Sequence, residues 1–104
     1  MFDFEKPWMA IEEKTRVSFE KELQKELGEE HPLYQKAVRA IARREDGDDV
    51  LFLLDPQTTE CAVVHLTWQG CRDFDEKWPM AEIFMSLDEF KVKRMLPDHD
   101  EFCD

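Results

Sequence analysis

Ile11, Phe19, Leu23 and Leu27 recur at multiples of four, with Thr15 filling the gap between the first two. On a helix this spacing makes a single apolar stripe with charged flanks. It predicts a helix over residues 8–27. Pro7 suits the first turn, and Gly28 stands where a left-handed cap belongs. Glu12 with Arg16, and Glu22 with Lys25, are spaced as weak same-face pairs on such a helix.

The pattern then changes period. Leu33, Ala37, Val38 and Ile41 suit a helix, but Val38 to Ile41 also reads as a strand with long basic side chains on one face. The residues beyond Arg44 favour the strand. Glu45-Asp46-Gly47-Asp48 is a strong turn, and Val50 to Leu54 is a short apolar run closed by Asp55-Pro56. "TECAVVHLTW" supplies another β-rich run, and Ala81 to Met85 a short fourth strand at the sheet edge. Ser86 and Glu89 match a capping box opening a last helix, expected to stop at Leu96 before Pro97. Its apolar side holds Leu87, Phe90, Val92, Met95 and Leu96.

The fold class predicted is therefore α+β: an N-terminal helix, a three- to four-stranded antiparallel meander and a C-terminal helix, α-β-β-β-(β)-α. The run at 50–54 is apolar on both faces, as a central strand covered on both sides would be. If the two helices share one face, the other needs Trp78 and its loop, or a second copy of the chain. Monomer and homodimer both stay open on this reading.

Composition adds class and compartment. The chain of 104 residues is expected to form one domain, residues 1–104. Twelve per cent of residues are aromatic, enough large side chains to argue against disorder. Residues 98–104 form an acidic tail expected to be flexible. The start shows no basic region followed by an apolar run, and no run approaches the roughly 20 apolar residues of a membrane span. Three cysteines without CxxC spacing argue for reduced thiols, so the expected location is cytoplasmic.

Net charge narrows the partner. Fourteen basic against 25 acidic residues leave −11, a field that repels nucleic acid and favours encounter with a basic protein.

Candidate chemistry is thin. His65 shares a strand face with Cys61, Val63 and Thr67; as a general base it needs a carboxylate and a cleft, and otherwise it is one polar residue of a core strand. Trp68, Phe74 and Trp78 bracket a charged loop, a pattern that suits either a lid on the sheet or a protein interface. The candidate binding residues are thus His65, Thr67, Trp68, Phe74 and Trp78. No catalytic residues, metal ligands or cofactor are expected, because nucleophile elbows, paired zinc ligands and phosphate-cradling glycines are all missing from the sequence. EDGDDVLFLLD lacks the spacing of a calcium loop.

"HPLY", "ARREDGDDVLFLL", "AVVHLTW" and "KWPMAEIFMSLDEF" resemble the elements of a family of small, uncharacterised bacterial domains, over roughly residues 31–96. The resemblance implies a stand-alone bacterial cytosolic protein, and it brings no activity or catalytic residues with it. The expectation is a non-enzymatic interaction module for a basic protein partner, of the immunity or antitoxin kind. The alternative is a small-molecule binder or enzyme using a cleft around His65.

Overall fold

Val50, Phe52 and Leu54 alternate with Leu51 and Leu53 along one short strand, so both faces of the sheet need cover. The structure, a computed structural model, describes residues 3–29, 31–34, 36–55, 57–66 and 80–102. Among these residues five strands form one sheet in chain order: β1 (Trp8–Ala10), β2 (Val38–Arg44), β3 (Asp49–Leu54), β4 (Cys61–His65) and β5 (Ala81–Phe84). Every neighbouring pair is antiparallel. Helix α1 (Glu13–Glu26) lies between β1 and β2. After β5 the chain runs through α2 (Leu87–Phe90), a π-helical turn (Lys91–Met95) and α3 (Leu96–Phe102).

The helical segments cover opposite faces. On one side Leu23 of α1 and Leu27 just past its end, joined by Leu33, pack on Ala40, Val50, Phe52, Leu54, Ala62, Val64 and Leu66. On the other, Phe90 and Met95 pack on Leu51, Cys61, Val63, Phe84 and Trp8. The α+β class holds, with five strands where three or four were expected. The second face of β3 is covered by the chain's own C-terminal helix, so burying that face needs neither the Trp78 loop nor a second copy. A register irregularity at Ala40/Ala42 turns β2 so that Ala40 faces one core and Ala42 the other.

Several local expectations give way to tertiary packing. Residues 8–10 form β1 and not the first helical turn, because there Trp8 reaches the core opposite α1. Its ring meets Phe90 edge-on, centroids 5.2 Å apart. α1 closes on Leu27, in extended conformation (φ −77°, ψ 128°) with its N–H still reaching the Leu23 carbonyl. Arg16 pairs with Glu13 and Glu20, not with Glu12. Glu22 is buried, and Glu26 is buried with it.

At the other terminus Pro97 does not end the helix. The Leu96 N–H reaches five residues back to the Lys91 carbonyl, and this wide turn accommodates a ring that lacks the donor of a regular ladder. Residues 98–102, expected as a flexible tail, are helical and tied down. The Trp8 indole donates to Asp98 at 3.0 Å, and His99 Nδ1 donates to the Lys6 carbonyl at 2.7 Å. The capping box is half as expected: Glu89 N–H donates to Ser86 Oγ at 3.2 Å, while the Glu89 carboxylate accepts from Met85, one residue before the cap.

Candidate functional site

Among the described residues, concave features lie at opposite ends of the sheet. The first is built around His65. Antiparallel pairing of β3 with β4 sets Asp49 directly opposite His65, on the face covered by the C-terminal helix. His65 Nδ1 is 2.8 Å from Asp49 Oδ1, so with the carboxylate ionised the ring hydrogen is on Nδ1. The other Asp49 oxygen accepts from Arg94 at 2.6 Å. Arg94 also donates to Asp98 at 3.0 Å and Glu82 at 3.3 Å, and its guanidinium lies 5.8 Å from the centre of the Trp8 ring. Arg44 adds a second cation to Asp98 at 3.2 Å.

The result is a chain of alternating charge, Arg44–Asp98–Arg94–Asp49–His65, across one end of the sheet. A shallow cleft of about 380 Å³ opens on it, lined by Asp49, Val63, His65, Met80, Ala81, Glu82 and Arg94. The carboxylate and the cleft that His65 requires as a base are both present. The lining offers no hydroxyl or thiol among the described residues. Arg94 also holds Asp49 as an ion-pair partner, which makes the carboxylate a weaker orienting base than one that serves the histidine alone.

Cys61 shares that face of β4 without joining the cleft. Burial, then the charge of Glu89, pushes its thiol up to about 11, so it is a poor nucleophile. Its Sγ lies 3.5 Å from the Ser86 carbonyl. Thr67, Trp68, Phe74 and Trp78, the other sequence candidates, lie outside the described residues. Among the described residues no three His, Cys, Asp or Glu side chains converge as metal ligands. No described helix is long and apolar enough to cross a membrane.

The second feature is larger and mostly apolar. A groove of about 720 Å³ opens where β2 begins, β3 ends and β5 passes into α2. Ala37, Val38, Leu53, Leu54 and Leu87 form its walls, and Arg39, Thr58, Thr59, Ser86 and Asp88 its rim. Sequence reasoning missed this groove. Its walls come from segments up to fifty residues apart, and each wall residue alone reads as ordinary core. Asp49 and Arg94 escaped for the same reason: pairing register, not local pattern, brings them to His65.

Compared with known proteins, the chain matches no family model, no curated protein and no solved structure.

Proposed function

We propose that the chain is a non-enzymatic protein-interaction module that receives apolar side chains of a partner in the groove between Leu53 and Leu87. The groove is the observation that carries this reading. A mostly apolar concavity with a polar rim is the usual form of a docking pocket, and apolar anchors in such pockets supply most of an interface's affinity. The net charge of −11 favours a partner that is basic overall, as a nuclease-type toxin is for its immunity protein, because the long-range field speeds that encounter.

The test compares the wild-type chain with Thr58→Trp, which fills the rim from an exposed position. A protein captured at low salt by the wild type should be lost with the variant, and its capture rate should fall as salt rises. Capture indifferent to Thr58→Trp sinks the reading.

One observation favours a second reading, a small-molecule site at His65: the carboxylate at 2.8 Å within a cleft. It predicts that small anions or polar fragments shift the His65 ring resonances in NMR spectra, and that His65→Gln abolishes the response. Unmoved resonances across a fragment library remove it.

A further inference from the structure

β1 is too short to cover β2. It pairs with residues 42–44, and the Ile11 N–H to Ile41 carbonyl bond ends the contact before the chain turns into α1. One step further along β2, the Ala40 N–H is capped by the Glu20 carboxylate at 2.9 Å. Beyond that lies Val38. The Ala37 carbonyl accepts from Asp55 across the sheet, and the Leu54 N–H turns the other way, to the Glu60 carbonyl. Val38 and Leu54 are therefore a pair without mutual hydrogen bonds, and the Val38 N–H and C=O point to the outer edge of the sheet. No described strand pairs there.

Concavities flank this edge on both faces. The apolar groove with Leu53 and Leu87 lies on one side, and a hollow of about 410 Å³ against α1 lies on the other; Ala37 and Val38 line both. A strand laid beside Val38 would send alternate side chains into the two hollows. The hollow against α1 is basic in an acidic molecule. Lys21, Lys25 and Lys36 line it with Val17, Gln24 and Glu20. Glu20 is already engaged by Arg16 and by the Ala40 N–H. The lysines that form ion pairs among the described residues are Lys14 and Lys93, not these three.

We propose that the edge of β2 at Val38 accepts an extended acidic segment of a partner protein as an added strand. This rests on the protein-binding reading and specifies what one part of the partner looks like. A second copy of the chain is the poorer occupant, since two-fold pairing at Val38 would bring the same lysines face to face. The distant acidic surface does not override the local sign: at physiological salt the screening length is about 8 Å, while the molecule extends 37 × 29 × 27 Å.

The probe is a blocked nonapeptide of alternating glutamate and valine, compared with the same peptide carrying lysine for glutamate. The acidic peptide should bind, move the Val38 amide resonance and slow its hydrogen exchange. Lys21→Glu with Lys36→Glu, both at exposed positions, should weaken binding at least tenfold while leaving the thermal midpoint within a few degrees. Equal binding of the lysine peptide, a Val38 amide unmoved at saturation, or concentration-dependent self-association through Val38 in place of peptide uptake overturns the proposal. The two readings fail separately. Loss of strand addition with Thr58-dependent partner capture intact removes only this one, and strand addition without any such partner removes only the groove.

Discussion

Cys61 and His65 point to the same sheet face and meet opposite surroundings. Cys61 is fully buried and its thiol is raised from about 9 to about 11, whereas the His65 side chain is 53% exposed. An acid whose folded value is raised binds its proton more tightly in the native state. Its contribution is thus intact below about pH 9 and is lost as the pH climbs from 9 towards 11, by up to about 2–3 kcal/mol. With Cys71 and Cys103 replaced by serine, urea unfolding should show this alkaline decline, and Cys61→Ala should flatten it. Arg94 gives a second expectation. Its guanidinium is the hub for Asp49, Asp98 and Glu82. Arg94→Met should cost about 1–3 kcal/mol, read from denaturant midpoints, because it leaves the half-buried Asp49 carboxylate, among the described residues, with His65 as its remaining side-chain hydrogen-bond partner. A change under 0.3 kcal/mol, well below the roughly 1 kcal/mol of an ordinary hydrogen bond, would mean that the charge chain is a surface ornament.

At the scale of elements, β1 shows how three residues can be held as a strand. Its pairing with β2 is short, but Trp8 is almost wholly buried against Phe90 and donates its indole N–H to Asp98. Trp8 therefore couples β1 to both α2 and α3. Trp8→Ala should lose about 3–5 kcal/mol by calorimetry or urea titration, the range for removing a large core aromatic. It should also release α3, seen as faster amide exchange at residues 98–102. The junction of β5 and α2 depends on Ser86 as cap, so Ser86→Ala should cost about 1 kcal/mol. The helix as a whole was legible in Leu87, Phe90 and Met95. Its continuation past Pro97 was not, because the wide turn at residues 91–95 leaves no periodic mark that distinguishes it from a helix end.

The whole molecule carries its −11 charge mostly as self-repulsion. Raising NaCl from roughly 0.01 to 0.2 M shortens the screening length from about 30 Å to under 10 Å, so the thermal midpoint should rise over that range. A falling midpoint would show that attractive pairs such as Arg94–Asp49 outweigh the net field. The same charge makes the local exception informative. Lys21, Lys25 and Lys36 cluster beside the edge of β2 at Val38, where a chain of net negative charge offers a cationic hollow.

The pattern of apolar positions by itself determined the α+β class, the meander of the middle strands, the two-sided burial of β3 and the helix at each end. These arise from local periodicity and turn chemistry, which act within a few residues. Only the tertiary structure decided that the two helices take opposite faces, that Trp8 begins a fifth strand, and that Asp49 and Arg94 meet at His65. Strand register and helix docking join residues far apart in the chain, and no local spacing encodes such a meeting. The groove at Leu53 and Leu87 and the edge at Val38, unpaired among the described residues, belong to the same class: both exist because of where neighbouring elements stop.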